Sequence, residues 1–178
     1  MTITDIVIVI AVALFIGVYV SWRAGRIDRL HARVDMARAA LDATLLRRSS
    51  VALELATSGL LDPATSLLLA GAVHGTRSGD RPRDLAESDL TRALRAAFSQ
   101  PGFRAELDGK DGAPELLGEV EAAAHQVFIA RKLYNDVALR AIDARRRPLA
   151  RALRLAGNAP PPEFFEMDDA LADADGRR

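Results

Sequence analysis

The chain contains no cysteine, only two lysines (Lys110 and Lys132) among its 24 basic residues, and few aromatic side chains: six Phe, two Tyr and one Trp in 178 residues. Without cysteine there is no disulfide framework, no thiolate nucleophile and no thiolate metal site. The same absence fits a reducing compartment without requiring one, because exported domains can also lack cysteine. An excess of charge of one sign is missing too. Twenty-four basic residues balance 24 acidic ones, so no net field draws in nucleic acid or an acidic ligand, and aromatic residues are not interleaved with basic ones as nucleic-acid binding favours. The Val/Ile/Thr/Tyr alternation that marks strands is scarce. Ala, Leu and Arg dominate instead, a set that forms helices and that also suggests a GC-rich bacterial genome. The chain is expected to be all-α.

Long apolar runs are absent as well, with one exception that organises the rest. Residues 6–20 read IVIVIAVALFIGVYV, bounded by Asp5 before and by Ser21, Trp22 and Arg23 after. As a helix the uncharged span 6–22 is roughly 25 Å long, close to the hydrocarbon thickness of a bilayer. Tyr19 and Trp22 stand at the end where amphipathic rings settle at headgroup level. A cleaved signal peptide would need a basic n-region and small residues at a cut site, whereas MTITD is acidic and Val20-Ser21-Trp22 cleaves poorly. A buried core helix of a small domain rarely lacks a polar face. A single transmembrane helix is expected. Arg23, Arg26, Arg29 and Arg33 follow it, offset only by Asp28, and nothing basic precedes it. The positive-inside rule then puts the N-terminus outside and the remainder in the cytoplasm.

About 155 residues remain, enough for one domain with a core. Ile27, Leu30, Val34, Ala37 and Leu41 recur at 3-4-3-4 spacing, the seam of a helix packed at a shallow angle. The same register continues through Thr44, Arg48, Val51 and Leu55, so the stripe takes in a charge at Arg48. A helix is predicted to about Ser58, with Gly25 the weak point if it is continuous with the anchor. Asp62-Pro63 opens a second helix by a cap residue and a proline at the first helical position. Its apolar side is read as Ala64, Leu67, Leu68, Gly71 and Ala72, and its end as His74-Gly75. After a polar loop over 75–83, Asp84 with Glu87 is a capping-box pattern. It opens a helix to about Ser99 with Ala86, Leu90, Ala93 or Leu94, and Ala97 buried. Residues 100–113 read as a loop tacked down by Phe103 and Leu107. The longest remaining helix starts at Pro114 and carries Leu116, Leu117, Val120, Ala124, Val127, Tyr134, Val137 and Ile142. A kink or restart is expected at Pro148. Gly157-Asn158 and Pro160 to Pro162 end helical structure. In the tail, Phe164 and Phe165 are expected to pack back, and the acidic stretch to be disordered. The layout is thus an extracytoplasmic 1–5, a transmembrane helix 6–22, a bundle domain of about four helices over 23–158, and a proline-rich, acidic tail 159–178.

No arrangement of residues for catalysis emerges. His31, His74 and His125 fall on three separate segments, which argues against a metal site. There is no G-x-S-x-G, and Ser49-Ser50 lies mid-helix without a base. Gly109, Gly112 and Gly118 are wrongly spaced for a phosphate loop. Neither Glu119/Glu121, on different helix faces, nor Asp168-Asp169, in the tail, forms a working carboxylate pair. Arg140, Arg145, Arg146, Arg147, Arg151 and Arg154 cluster around Pro148. They read as a solvated face, or as a surface for anionic headgroups or for the chain's own acidic tail. Arg47-Arg48 could pair with Asp42 or reach a partner. No cofactor, metal or small-molecule substrate is expected.

Two blocks resemble the LemA family. In residues 34–55 (VDMARAALDATLLRRSSVALEL), Leu41-Asp42, Leu45 and Arg47-Arg48 stand where that family has I-D, L and R-R. In residues 119–166, Ala130-Arg131 and Tyr134-Asn135 resemble its A-R-x-x-Y-N, and Pro148, Gly157 and Phe165-Glu166 its closing signature. Departures include Arg38 for the usual aromatic, Ser49-Ser50 for Tyr-Asp, Leu53-Glu54 for Pro-Asn, and Ala124 for a glutamate. The resemblance implies a long antiparallel helical bundle on one N-terminal span, no established enzyme activity, and a divergent member of that family. The expected function is non-enzymatic: a coiled-coil-like bundle at the bacterial inner membrane acting through a second copy or another membrane protein, with Tyr134 and Asn135 buried. The alternative is an electrostatic module for anionic lipid surfaces, using the arginines of 23–33 and 140–154.

Overall fold

A computed structural model of the chain describes residues 3–146 and 160–169, the side chains of residues 9, 20, 23, 24 and 26–28 excepted. The described residues form helices and connecting turns, with no strand among them. Helix α1 (Ile3–Thr57) runs unbroken through Gly25 for 55 residues. It is followed by α2 (Pro63–Ser78), α3 (Arg83–Phe98), the short α4 (Phe103–Leu107) and α5 (Ala113–Arg146). The chain divides into two compact units, Met1–Ala37 with Asn135–Phe164, and Arg38–Tyr134 with Phe165–Arg178.

The second unit holds the main core. Val51, Ala52 and Leu55 of α1 meet Leu69 and Val73 of α2, Leu90, Leu94 and Ala97 of α3, Phe103 and Leu107 of α4, and Leu117 and Val120 of α5. In this unit α1 and α5 run antiparallel: Arg38 lies over the Tyr134 ring, while Glu54 and Ser58 share a groove with Gly112 and Glu115. The 3-4 seam is buried at Leu41, Arg48 and Leu55, a strict heptad, and α3 buries the expected face. Phe103 and Leu107 do anchor the connection between α3 and α5, but through a helical turn where a loop was expected. Gly102 enters that turn at φ 81°, a left-handed conformation that glycine adopts without steric cost.

In the first unit, the apolar side chains at the N-terminal end of α1 face outward. The described side chains from Ile3 to Trp22 are all solvent-exposed, among them Ile8, Val12, Leu14, Phe15, Ile16 and Val18. Among the described residues, no helix is long and apolar enough to cross a membrane. Among the described residues of this unit, Val34, Ala138 and Ala141 are the buried apolar ones.

Several expectations need correction. Helix α2 extends past Gly75 to Ser78 and buries Thr65, Leu69 and Val73, not the Leu67/Leu68 side. Spacing alone could not choose between the two faces; Thr65 is tolerated inside because its hydroxyl accepts a hydrogen bond from the Gln100 side chain at 2.9 Å. The capping box at Asp84 does not form: α3 has no side-chain cap, and Glu87 turns inward instead. Asn135 is half-buried and Phe164 exposed. The expected kink at Pro148, the helix end at Gly157-Asn158 and the acidic stretch beyond Asp169 lie outside the described residues.

The Asp62 cap of α2 does form. Its carboxylate accepts from the backbone N–H groups of Ala64 (2.9 Å) and Thr65 (3.0 Å). Hydrogen bonding from the Thr65 side chain, then from these backbone groups, holds its pKa below the ordinary carboxylate value. A folded-state pKa below the unfolded one gives stability that is present above the unfolded value and is lost as pH falls through the folded value. Asp62→Ala is therefore expected to lower the melting temperature at pH 7, and the gap from the parent chain should close as the pH falls below the ordinary carboxylate range.

Candidate functional site

The interior of the second unit contains charge. Arg48, on the α1 seam, is 2% exposed and Glu87 of α3 equally so. The guanidinium Nη2 donates to Glu87 Oε2 at 2.7 Å and to the Glu87 carbonyl oxygen at 3.1 Å. Its Nη1 donates to Thr91 Oγ1 at 2.9 Å, and the Thr91 hydroxyl donates in turn to the Glu87 carbonyl at 3.1 Å. Glu87 and Thr91 are four residues apart, one helical turn, which brings both onto the α3 face carrying Leu90 and Leu94. Arg48 Nε has no hydrogen-bond partner among the described residues. Burial lowers the Arg48 pKa; the Glu87 charge and hydrogen bond, then the charge of Asp169, oppose that shift. The guanidinium stays charged.

Asp169 arrives on the C-terminal segment, which crosses α3 and α5 without regular structure over 160–169. Arg131 Nε donates to Asp169 Oδ2 at 3.0 Å. Its neighbour Asp168 accepts from Arg95 Nη2 at 2.7 Å on both carboxylate oxygens, and the Asp168 N–H donates to Ser88 Oγ at 3.0 Å. Phe165 and Met167 are buried, and Glu166 between them is exposed. Composition reads the acidic residues of this segment as disordered and its two Phe as packing back; Phe165 does pack back, and Asp168 and Asp169 are held because arginines from two different helices supply their counter-charges.

The residues singled out by sequence thus separate. Arg48, Arg131 and Phe165 belong to this network or its cover, whereas Arg47 and Glu166 are exposed. Asp42 pairs with Arg83 at 2.9 Å and with Arg38 at 4.0 Å, so the pairing with Arg47 or Arg48 does not form. Tyr134 is buried, with Arg38 Nη1 donating to its hydroxyl at 3.4 Å and the guanidinium 5.6 Å from the ring centre. Pro148 and Gly157 lie outside the described residues. Sequence reasoning missed Glu87, Thr91, Asp168 and Asp169. The usable signal was Arg48 itself, because a charge on a buried seam demands a buried opposite charge.

Arg48 and Arg131 against Glu87 and Asp169 sum to zero, and every member is committed to another. The arrangement offers no spare base or nucleophile; it holds helices and tail in register. Two surface grooves of about 320 and 300 Å³ are lined elsewhere, around Arg104 and Glu121 and around Glu54 and Glu115. Among the described residues no group of three or more His, Asp or Glu side chains is placed to hold a metal ion. No family model matches the sequence, and neither a curated protein nor a solved structure matches it.

Proposed function

We propose that this is a non-enzymatic, single-pass membrane protein of the bacterial inner membrane, a divergent relative of the LemA family, whose cytoplasmic bundle acts through contacts with further copies or with another membrane protein. The observation that carries the reading is the N-terminal part of α1, where the described side chains over 3–22 are all exposed and, apart from Thr4, Asp5 and Ser21, are mostly apolar. Water disfavours such a surface, and lipid does not. In the sequence the uncharged run is 17 residues, 6–22, the lower end of the range for a span.

The bundle supplies the contact surface. Leu46, Leu67, Leu68, Ile129 and Leu133 are each at least half exposed and are the apolar side chains the bundle offers to a partner. The electrostatic alternative is less favoured, because Arg140 is bonded to Asp136 and Arg145 to the Pro160 carbonyl. Light scattering on the detergent-solubilised full chain over a dilution series tests self-contact. The expected mass exceeds one chain plus detergent and falls on dilution; a strict monomer at every concentration sinks self-assembly and leaves a different membrane protein as the partner.

A further inference from the structure

The geometry points to a docking groove for acidic peptides on α3 and α5, which the chain's own residues 165–169 occupy. The occupant has the character of a ligand. It is a segment without regular structure whose alternate residues, Phe165 and Met167, are buried while Glu166 is exposed, the two-residue period of a strand-like peptide laid on a surface. Two carboxylates follow, each facing its own arginine, Arg95 for Asp168 and Arg131 for Asp169, while the Asp168 backbone N–H donates to Ser88 Oγ. The groove therefore selects an apolar residue, a spacer, a second apolar residue and two acids.

The attachment is also of a kind that releases. The Arg95–Asp168 pair is 40% and 34% exposed, and an ion pair so open to water holds weakly; the Arg131–Asp169 pair, 21% and 16% exposed, is the firmer of the two attachments. Helices α3 and α5 keep their own core contacts through Leu90, Leu94, Leu117 and Val120, so departure of the tail does not dismantle them. A tethered segment competes at an effective concentration of about millimolar. The tail thus keeps the groove closed to weak competitors and yields it to a stronger partner bearing the same pattern. This deepens the reading that the chain works through protein contacts, by naming the partner's chemistry. Its failure is distinguishable, since peptide binding and the mass of the assembly are separate readouts.

The test uses the full chain in detergent and a fluorescein-labelled peptide PEFFEMDDAL, the sequence of residues 162–171. D168K/D169K should free the groove, so the peptide binds that variant and fails to bind the parent at the same concentration. Adding R95E or R131E should then weaken binding by roughly tenfold or more. No binding to a D168K/D169K variant that melts like the parent overturns the proposal, as does binding indifferent to R95E and R131E. Hydrogen exchange on the unaltered chain guards against a variant that fails to fold. The Asp168 N–H should exchange at least about tenfold faster than the amides of Leu90 and Leu94; exchange as slow as theirs means the tail leaves only on global unfolding, and the groove is not one.

Discussion

Arg48→Met is expected to cost roughly 3–5 kcal/mol of stability. For a chain of this size that is a fall in melting temperature of roughly 6–20 °C, readable by circular dichroism of the full chain in detergent. Methionine fills much of the arginine's volume, so the loss comes from charge rather than from a cavity. It removes the Nη2 donor from Glu87 Oε2 and the Nη1 donor from Thr91 Oγ1, leaving a carboxylate that is 3% exposed without its counter-charge. Removing both charges is a different experiment. Arg48→Met with Glu87→Leu should recover most of the loss, because two apolar side chains of similar size need no partner. Arg48→Met with Glu87→Gln should fall between, since the neutral amide still needs a donor. If the double variant melts no higher than Arg48→Met alone, the two charges are not energetically coupled and the network does not organise the core. A Lys at position 48 should recover only part of the loss, because it lacks the planar fork that reaches Glu87 and Thr91 together.

The same residues show what was legible in advance. The seam of Leu41, Arg48 and Leu55 was readable because a heptad depends only on α1's own periodicity, and the face of α3 was readable for the same reason. Glu87 was not, since Asp84 and Glu87 have the spacing of a capping box, and only the arrival of Arg48 from α1 turns that glutamate inward. Helix α2 exposes the limit of periodicity. It carries Leu67 and Leu68 on one side and Thr65, Leu69 and Val73 on another, and the Gln100 side chain that satisfies Thr65 comes from the turn that follows α3. Asp168 and Asp169 look like a disordered acidic tail by composition, because their partners Arg95 and Arg131 are distant in sequence. In each case the hidden determinant was a long-range pair, which local pattern cannot encode.

Two carboxylates set into the apolar stretch should have the second large effect. Leu14→Asp with Phe15→Asp is expected to move the chain out of the carbonate-washed membrane pellet. Both positions are well exposed, Phe15 at 74%, so neither substitution opens a cavity or breaks a contact within the chain, and any effect must come from the surroundings. An aspartate at the centre of a spanning helix costs about 2.5–3.5 kcal/mol. Two cost about 5–7 kcal/mol, a shift of roughly four to five orders of magnitude in partition between lipid and water. Met36→Asp is the control: it is also exposed and apolar on α1, but it lies past the uncharged run and should leave the pellet unchanged. Since the chain has no cysteine, Ser78→Cys adds a reading of side, and in the parent background it should label only after lysis. Retention of the double aspartate variant in the washed pellet would sink the anchor, because nothing in that stretch except its apolar surface holds it in lipid. Labelling of Ser78→Cys from outside would keep the anchor and reverse its direction, so the arginines after Trp22 would no longer set the topology and the partners of the bundle would lie in the envelope.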